Sequence, residues 1–392
     1  MLYQPAALCY KAYSAKAISR SNLTSSLTFD FMAQDEVFGR AFAILQKGVA
    51  DRAFPCASLA VTHRGRLAAL KAFGQFTYET DAPAAHPDTI FDLASITKVM
   101  ATTSMAILLY QRGLLDIEVP VVGIVPEFAD DSSGAGDLRR HEVTLRMLLA
   151  HTSGLPAHLP LYERAGTRDE LTLLAAKTPL ANQPGTEVEY SDIGFIVLGE
   201  ALTRLADEGL DTFCQREIFG PLGMARTGFN PLVEQRPSIP PTLNDQGFRP
   251  RVIQGEVNDE NAGAMGGIAA HAGLFAPAGD LACFAQAMVE GGAPVFRRES
   301  LAIFTKRELV PAETTRTLGW DTPSQTSLAG KYFSPGSFGH LGFTGTSLWI
   351  DAERQISITL LTNRTWPDGK NIGIRQVRPE FHDAVGESLI RL

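Results

Sequence analysis

A serine and a lysine stand three residues apart at the beginning of a long apolar segment. Ser95 precedes Lys98, and the residues from Val99 to Tyr110 are mostly apolar or small before the chain reaches Gly113. This pattern predicts a largely buried helix that ends at a glycine. Because positions three apart share one face of a helix, the pattern also predicts that the Lys98 amine lies beside the Ser95 hydroxyl.

Such a pair has the parts of an activated serine nucleophile. The N-terminus of the helix adds a positive potential that favours developing negative charge on Ser95. Burial is expected to lower the pKa of Lys98 toward values that suit proton transfer. A serine and a lysine also meet at this spacing by chance on surface helices, so the hypothesis depends on partners elsewhere in the chain.

The length and charge of the chain restrict its class. It has 392 residues, of which 45% are hydrophobic, and a single core usually stops growing below this length, so two lobes are expected. The net charge of −8 and the lack of a long basic block argue against a nucleic-acid surface. A small-molecule substrate, neutral or weakly charged, fits this balance better.

The cysteines and the N-terminal region give no sign of a metal, a disulfide framework or a membrane span. No apolar stretch approaches the roughly 20 residues that a membrane span needs, and residues 1–31 lack the apolar core of an export signal. We expect residues 1–31 to be a loose extension and the protein to be cytoplasmic, with an unusual export signal as the alternative. The cysteines are expected to be buried free thiols, because their spacing fits neither zinc ligands nor a disulfide framework: Cys9, Cys56, Cys214 and Cys283.

Strand patterns occur near both ends of the chain. Ser58–Val61 and Leu67–Leu70 flank a turn at residues 63–65, and Ser347–Asp351 is followed after four residues by Ile356–Leu361. Both arrangements predict β-hairpins. Helices are predicted before the first hairpin, at residues 35–51, and after the second, at residues 381–392.

The organisation of these patterns predicts an α/β protein of the α+β kind. Between the two hairpins, prolines divide the chain into short helical stretches. We expect an α/β domain made of residues 32–112 and 260–392 and a helical domain made of residues 113–259. A catalytic cleft is expected between them.

Tyr190-Ser191-Asp192 is the second motif of interest. It follows a turn at residues 183–186 and precedes a helical run that begins at Ile193. A tyrosine in this place can be a half-buried packing residue. A phenol has a pKa near 10, so Tyr190 becomes a base only if a cation such as Lys98 stabilises the phenolate.

The third motif is a glycine-rich strand at residues 339–347. Its glycines allow a ligand to approach the backbone, although an edge strand with a β-bulge has the same pattern. In the functional interpretation, the backbone N–H groups of Ser95 and Phe343 converge on a carbonyl oxygen and form an oxyanion hole. The Gly-x-Ser-x-Gly elbow of α/β-hydrolases is absent from the sequence, so a Ser-His-Asp enzyme of that fold is not expected.

With these three motifs in this order, the chain resembles the serine β-lactamase and penicillin-binding-protein superfamily, whose signature includes S-x-x-K and a late K-T-G-like strand. Within this superfamily, the tyrosine in the second motif makes the chain similar to one branch, which comprises the class C β-lactamases, DD-peptidases and family VIII carboxylesterases. The resemblance spans about residues 50–385, and further similar stretches lie at Leu149–Pro156, Ile218–Met224 and Gly255–Ala262. It implies a β-lactamase/transpeptidase-like fold, with an antiparallel sheet flanked by helices and a helical lobe.

The resemblance also implies roles for individual residues. Ser95 matches the family nucleophile, and Lys98 and Tyr190 match its proton-transfer pair. His340-Leu341-Gly342 occupies the K-T-G place, where the family binds substrate. His151 is expected to be structural, and the loop at residues 257–262 is similar to one that lies near the cleft in relatives.

Two departures from the family pattern bear on the substrate. Asp192 stands where β-lactamases of this branch have asparagine; when ionised it only accepts hydrogen bonds, and it can hold Lys98 charged. His340 replaces a permanent cation and Leu341 replaces a hydroxyl, which weakens the group that would bind a substrate carboxylate. Efficient lactam hydrolysis is therefore not expected, although Asp192 and residues 340–342 remain the predicted substrate contacts.

The sequence therefore predicts a serine hydrolase that forms a covalent acyl-enzyme and acts on short acyl esters. Two alternatives stay open: a DD-peptidase or β-lactamase-like enzyme acting on an amide, and a non-catalytic sensor that is acylated and not released. No metal or organic cofactor is required by this chemistry. The sequence makes no prediction of oligomeric state.

Overall fold

A computed structural model describes residues 31–132, 136–324 and 327–390. The predicted N-terminal extension, residues 1–31, lies outside the described residues except for Phe31, where the first helix begins. Cys9 likewise lies outside them.

Strands occur near both ends of the chain and, as short pieces, in its middle. The strands are β1 Cys56–His63, β2 Arg66–Gly74, β3 Ile90–Asp92, β4 Gly228–Phe229, β5 Leu243–Asn244, β6 Val252–Ile253, β7 Leu274–Pro277, β8 Phe338–Leu341, β9 Ser347–Asp351 and β10 Ile356–Thr362.

Helices fill most of the remaining chain. The α-helices are α1 Phe31–Ala50, α2 Ser104–Gln111, α3 Leu145–Leu149, α4 Arg168–Ala176, α5 Asp192–Ala206, α6 Leu210–Cys214, α7 Glu260–Ala264, α8 Ala278–Val289, α9 Arg298–Thr305 and α10 Ile374–Ile390. Short 3₁₀-helices lie at Ala94–Ile96, Val121–Gly123, Pro126–Ala129, Leu138–Glu142, Leu161–Glu163 and Val233–Ser238, and π-helical turns at Lys98–Thr103 and Gln215–Phe219.

The main sheet joins the two ends of the chain. Its five strands within the described residues are antiparallel in the order β2-β1-β10-β9-β8. Both predicted hairpins are present, as β1–β2 and β9–β10. The central pair is formed by β1 and β10, where Leu59 faces Leu360 across the ladder.

Both faces of this sheet are covered, which explains why its central strands are apolar on both sides. Leu59 and Leu360 belong to a core shared with α1 and α10, whereas Ala60 and Leu361 belong to the larger core that includes α8. Successive residues of a strand point to opposite faces, so this division is what a covered antiparallel sheet requires.

A second, small sheet lies next to the predicted nucleophile. Strand β3, which ends three residues before Ser95, pairs with β7, and β7 pairs with β4 from the middle of the chain. Leu93 continues this contact, because its N–H donates to the carbonyl of Leu274 at 2.9 Å. The residues before Ser95 are therefore held by a strand that is distant in sequence.

The predicted fold class is confirmed: an antiparallel sheet is flanked by helices, and further helices follow in the middle of the chain. The boundaries of the two domains stay a prediction. Of the cysteines that the structure describes, Cys56 and Cys214 are buried, as predicted, whereas Cys283 is only partly buried. No helix in the described ranges is both long and apolar enough to cross a membrane.

The core contact between β1 and β10 gives a first prediction. Leu360→Ala should lower the free energy of unfolding by about 3 kcal/mol, because it removes a fully buried side chain from the central strand. Leu309→Ala is the matched control, since that side chain is 80% exposed and should cost less than about 0.5 kcal/mol. Urea denaturation followed by circular dichroism measures both; equal losses would contradict the proposed position of β10 in the core.

Candidate active site

Ser95 lies in a tight turn between strand β3 and helix α2. Ala94, directly before it, has a φ of 48°, a left-handed conformation that is uncommon for a residue with a side chain. Ser95 itself is half-buried, whereas its neighbours on both sides are buried. This places the hydroxyl at the edge of a packed interior, where a reactant can reach it.

A helix follows Ser95, as predicted, but its first turns are not those of a regular α-helix. A 3₁₀ turn at Ala94–Ile96 is followed by π-helical turns at Lys98–Thr103 before α2 begins at Ser104. The Ser104 hydroxyl donates to the Val99 carbonyl at 2.9 Å and so satisfies a backbone oxygen in the widened turn. Irregular turns of this kind are frequent at functional sites, and a spacing pattern does not distinguish them from an α-helix.

A buried carboxylate fixes the turn that carries Ser95. Asp92 accepts the N–H of Ala94 at 2.8 Å with one oxygen and the N–H of Asn258 at 2.6 Å with the other. Burial raises the pKa of Asp92 to about 6, although the two N–H groups act in the opposite direction. The loop at residues 257–262 therefore supports the nucleophile turn through its backbone.

Two threonines of the third motif hold the same turn from the other side. The hydroxyl of Thr344 donates to the carbonyl of Asp92 at 2.9 Å, and that of Thr346 donates to the carbonyl of Leu93 at 3.0 Å. Both threonines are fully buried. The structure thus brings the first and third motifs together, about 250 residues apart in the chain.

Lys98 is completely buried and has three hydrogen-bond acceptors. Its Nζ lies 3.2 Å from the Ser95 hydroxyl oxygen, 2.6 Å from an Asp192 carboxylate oxygen and 2.9 Å from the His271 carbonyl oxygen. An ammonium group has three donors, so these contacts match the protonated form. The geometry describes a charged Lys98 that donates to Ser95.

The electrostatics of Lys98 differ from the sequence-based expectation. Burial lowers its pKa, as expected, but the Asp192 carboxylate and Tyr190 outweigh burial, and the net effect raises the pKa above its usual value. For Asp192, burial acts to raise the pKa, and the Lys98 ammonium reverses this and holds it far below its ordinary value. The prediction of a lowered Lys98 pKa was therefore wrong, whereas the suggestion that Asp192, 94 residues further along the chain, holds Lys98 charged agrees with this contact.

Tyr190 is placed at this cluster by the start of helix α5. Ser191 is the N-cap residue, and its side chain accepts the N–H of Gly194 at 2.9 Å. The backbone N–H of Ser191 donates to Nδ1 of His151 at 3.0 Å, and the His151 ring lies 4.5 Å from the Tyr190 ring. His151 thus supports Tyr190 from behind, which agrees with a structural role.

The Tyr190 hydroxyl is buried and faces Lys98. The Lys98 Nζ lies 5.0 Å from the centroid of the Tyr190 ring. The hydroxyl forms no hydrogen bond of ordinary geometry with another described residue. Burial raises its pKa above 10, and this effect exceeds the opposing attraction of Lys98 and Ser95, so the phenol is neutral at neutral pH.

A glycine lets the third strand approach the nucleophile turn. A Cβ on Gly342 would lie 2.6 Å from the Leu93 carbonyl oxygen and would overlap the Thr346 hydroxyl. The next N–H belongs to Phe343, and within the described ranges neither this N–H nor that of Ser95 donates a hydrogen bond. Two free N–H groups at adjoining turns are compatible with the predicted oxyanion hole, which stays a prediction.

The K-T-G place contains no cation. His340 is buried, its ring centroid lies 5.8 Å from that of Tyr190, and its Nδ1 donates to the Leu341 carbonyl at 2.8 Å. Burial, with Arg316 and Lys98 nearby, lowers the pKa of His340 to about 3. Its Nε2 is therefore an acceptor in the neutral ring. Leu341 is half-buried, and substrate contacts by residues 340–342 stay a prediction.

A second group of polar side chains borders Asp192. Ligand atoms of His158, Asp192 and Asp259 lie within 4.8 Å of one another, a spacing at which they could share a cation. However, Asp192 already pairs with Lys98, and Asp259 accepts from His271 Nε2 at 2.8 Å. We therefore assign these residues to the hydrogen-bond network around Lys98.

Sequence reasoning missed three residues of this site: Asp92, His271 and Arg316. Asp92 gave a usable signal, because a carboxylate within the apolar run Ile90–Leu93 is unusual for a buried strand. His271 contributes its backbone carbonyl to Lys98, and Arg316 places its guanidinium carbon 5.2 Å from the Tyr190 ring centroid. Neither of these two stands in a local pattern that predicts the contact.

The fold and this cluster define a hydrolase of the β-lactamase fold. The sequence model of the Beta-lactamase family matches residues 41–378, and the chain belongs to that family. A protein named putative D-alanyl-D-alanine carboxypeptidase from Salmonella agona (strain SL483) is 33% identical over 350 residues, which cover 80% of each chain. The resemblance to the serine β-lactamase and penicillin-binding-protein superfamily is thereby confirmed.

Solved structures show the same fold at lower identity. EstCE1, described as a hydrolase with promiscuous acyltransferase activity, superposes with a TM-score of 0.72 at 22% identity and covers 90% of this chain and 99% of its own. The LovD6 mutant of simvastatin synthase from Aspergillus terreus superposes with a TM-score of 0.71 at 21% identity. The superposition covers 95% of this chain and 100% of the LovD6 chain. At these identities the likeness describes the fold.

The buried ion pair gives the second prediction. Asp192→Asn should lower the free energy of unfolding by up to about 3 kcal/mol near neutral pH, because it leaves the fully buried Lys98 without its anion. The loss is at the low end for buried pairs, since the Asp192 side chain is 19% exposed. The depressed Asp192 pKa and the raised Lys98 pKa stabilise the fold between about pH 4 and about pH 10, and this contribution falls outside that window.

Glu308→Gln is the matched control for this measurement. Glu308 pairs with Arg146 at 2.7 Å, but the Arg146 side chain is 32% exposed. Loss of this ion pair should therefore lower the free energy of unfolding by at most about 1 kcal/mol. Urea denaturation of both variants near pH 7 and near pH 3 makes the comparison. Equal effects of the two substitutions would contradict the assignment of a desolvated pair at Asp192.

Proposed function

We propose that the protein hydrolyses short-chain acyl esters through a covalent intermediate on Ser95. One observation carries the proposal: the half-exposed Ser95 hydroxyl lies 3.2 Å from a buried, charged Lys98, with the Tyr190 phenol at the same cluster. A hydroxyl in contact with a cation and next to a potential base has the arrangement of an activated nucleophile. Membership of the Beta-lactamase family supports this reading.

The contacts of Lys98 support Tyr190 as the proton acceptor. Because Lys98 donates to the Ser95 oxygen, the hydroxyl proton of Ser95 is directed elsewhere, and the Tyr190 oxygen is the neighbouring group that can accept it. In the proposed mechanism, Tyr190 acts as its phenolate and Lys98 stabilises that charge without giving up its own proton. Asp192 keeps Lys98 protonated throughout.

Acylation and deacylation then follow as two proton transfers. Ser95 Oγ bonds to the ester carbonyl carbon while its proton passes to Tyr190, and the N–H groups of Ser95 and Phe343 stabilise the oxyanion. The C–O bond to the alcohol breaks as Tyr190 returns the proton to the leaving oxygen. In deacylation, Tyr190 takes a proton from water, the water oxygen attacks the acyl carbon, and Ser95 regains a proton as the acid leaves.

A second candidate is a carboxypeptidase that releases a C-terminal residue from a peptide. The 33% identical relatives from Salmonella are named putative D-alanyl-D-alanine carboxypeptidases. The same acyl-enzyme chemistry would serve an amide, with the amine in place of the alcohol. Lactam hydrolysis is a weaker candidate, because the K-T-G place has a neutral histidine and a leucine.

The third prediction tests the nucleophile. Ser95→Ala should lower hydrolysis of p-nitrophenyl butyrate by at least about 10³-fold and abolish labelling by a fluorophosphonate, because no covalent intermediate can form. Ser238→Ala, at an exposed serine, is the control and should retain both. Undiminished turnover by Ser95→Ala would refute the mechanism.

Intact-mass spectrometry separates the remaining functions. A transient acyl adduct with turnover supports the esterase, and a persistent adduct without turnover supports an acylated sensor. A higher kcat/KM for an acyl-D-alanyl-D-alanine peptide than for the butyrate ester would favour the carboxypeptidase. Likewise, a higher kcat/KM for a chromogenic cephalosporin than for the butyrate ester would favour the β-lactamase alternative.

The fourth prediction concerns pH. Since burial holds the pKa of Tyr190 above 10, kcat/KM should rise with pH from neutral through about pH 9, approaching tenfold per pH unit. The Ser95→Ala protein measures the background hydrolysis at each pH.

Tyr190→Phe distinguishes this mechanism from one in which Lys98 is the base. The variant lacks the ionising oxygen, so its residual rate should lose the alkaline rise. If kcat/KM of Tyr190→Phe still rose with pH as in the wild type, the ionising group would be another residue, which would contradict the role of Tyr190.

A further inference from the structure

The turn that follows strand β8 carries one of the two proposed oxyanion donors. Phe343 lies in this turn, and its N–H donates to no other residue within the described ranges. Such an N–H stabilises a developing negative charge only if the turn keeps it directed at the reacting oxygen. Its position therefore depends on the contacts of the other backbone groups in residues 342–346.

Arg364, two residues after strand β10, holds the first half of this turn. Its Nε donates to the Phe343 carbonyl at 2.7 Å, and its backbone N–H donates to the Thr344 carbonyl at 2.9 Å. Its guanidinium carbon lies 4.4 Å from the centroid of the Phe343 ring, and its Nη1 donates to the carbonyls of Gly369 and Asn371. Because the Arg364 side chain is buried, it fixes Phe343 through both the backbone and the ring.

Arg378, on helix α10, holds the second half of the turn. Its buried Nη2 donates to the carbonyls of Gly345 and Thr346 at 2.8 and 3.3 Å. Burial, and after it the charge of Arg364, lowers the pKa of Arg378 to about 9, so the two guanidinium groups lie close together. Within residues 31–132, 136–324 and 327–390, no carboxylate pairs with either arginine. Two uncompensated cations therefore adjoin the turn.

The peptide groups of the turn form a series of hydrogen bonds that ends at Phe343. The Thr362 hydroxyl donates to the Thr344 carbonyl at 3.1 Å. The same peptide group supplies the N–H of Gly345, which donates to the Gly342 carbonyl at 3.0 Å. The Gly342 carbonyl in turn shares its peptide group with the Phe343 N–H. Hydrogen bonds in series polarise one another, so the Phe343 N–H is the strengthened last donor of this series.

A glycine brings the turn against the donors that hold it. Gly345 has a φ of 98°, in the left-handed region that favours glycine. A Cβ at this position would overlap the Thr362 hydroxyl and would lie 2.6 Å from Cγ of Arg364. The turn therefore packs directly on the end of strand β10.

We propose that Arg364 and Arg378 are positioning residues for the oxyanion hole, and that they hold the carbonyl groups of residues 343–346 so that the Phe343 N–H points at the substrate oxygen. The proposal deepens the proposed function and rests on it for the position of that oxygen. Neither arginine contacts the substrate. Their charges also favour negative charge at the turn, since no neighbouring carboxylate neutralises them.

The fifth prediction concerns the rate of the reaction. Arg364→Gln should lower kcat and kcat/KM for p-nitrophenyl butyrate by the same factor, about tenfold to a hundredfold, because the oxyanion forms only in the transition state. Arg378→Gln should have the same kind of effect. Arg364→Lys should regain part of the rate, because it keeps the charge and one donor for the Phe343 carbonyl. Rates are expressed per Ser95 site that a fluorophosphonate labels, which corrects for any loss of folded protein.

Arg140→Gln is the matched control. Arg140 is also buried, donates to three carbonyls, and has its guanidinium carbon 4.1 Å from the centroid of the Phe128 ring. It should be destabilised in urea as Arg364→Gln is, yet its kcat/KM per labelled site should stay within about twofold of the wild type. Equal losses of kcat/KM in the two variants would show a general structural role and overturn the proposal.

A tetrahedral inhibitor tests the oxyanion hole directly. The ketone 1,1,1-trifluoropentan-2-one carries the same acyl chain as the butyrate ester and forms a hemiketal with Ser95, whose oxygen occupies the oxyanion hole. In Arg364→Gln its inhibition constant should rise by the factor by which kcat/KM falls, as expected for a transition-state analogue. An unchanged inhibition constant in Arg364→Gln would overturn the proposal.

A measurement without turnover separates this proposal from the proposed function. In protein labelled with ¹⁵N-phenylalanine, the Phe343 amide signal is assigned by its loss in Phe343→Leu. Thr362→Val removes one hydroxyl, keeps both arginines and should move the Phe343 amide proton upfield, because the series of hydrogen bonds loses a donor. Arg364→Gln should also move it.

The outcomes of this measurement are distinct from those of the kinetics. An unmoved Phe343 amide proton in both Thr362→Val and Arg364→Gln overturns the proposal, whatever the activity of the protein. If the signal moves but the wild type neither cleaves the ester nor forms the hemiketal, the support of the turn by Arg364 stands and the hydrolase mechanism fails. Should Arg364→Gln not fold, Thr362→Val carries the test, with a loss of kcat/KM of about threefold to tenfold.

Discussion

The site depends on the contacts of the buried Lys98 ammonium group. It joins the nucleophile turn, the start of helix α5 and the backbone at His271, three segments that are far apart in sequence. A charge in a dry interior is costly unless every donor has a partner. The same requirement that stabilises Lys98 therefore fixes the relative positions of Ser95 and Asp192.

The two carboxylates near Ser95 have different contacts: Asp192 pairs with Lys98, and Asp92 holds the turn before Ser95. Asp192 holds Lys98 protonated, and in the proposed mechanism this leaves proton transfer to the buried phenol of Tyr190. The turn before Ser95 is held by Asp92 and two threonine hydroxyls, so the left-handed Ala94 is maintained by its surroundings. The position of the proposed nucleophile, Ser95, is therefore set before any substrate arrives, which is the condition for electrostatic catalysis.

Sequence reasoning succeeded where the signal was local. The spacing of Ser95 and Lys98 sufficed to predict their contact, and the turn before Ile193 sufficed to place Tyr190 at a helix start. The hairpins around residues 63–65 and 352–355 follow from strand patterns and were predicted with their correct partners. Family resemblance supplied the pairing of these local pieces.

The failures have one physical cause: they concern contacts between distant segments. The sign of the Lys98 pKa shift depends on the distance to Asp192, which no spacing in the sequence gives. The π-helical turns depend on how Ser104 and its neighbours satisfy the backbone, and an apolar run has the same pattern in either helix. Arg316 has no motif of its own, and its position over the Tyr190 ring depends on the folding of distant segments.

The pairing of β1 with β10 has a consequence for synthesis of the chain. The register joins Ala57 to Thr362, so the centre of the main sheet cannot close until Thr362 has left the ribosome, about 300 residues after Ala57. Loop closure over such a separation is slow, and until it occurs β1 lacks its partner on one edge. Nascent chains must therefore carry an open, apolar hairpin until β10 has been made, and this hairpin is the segment that a chaperone would have to shield.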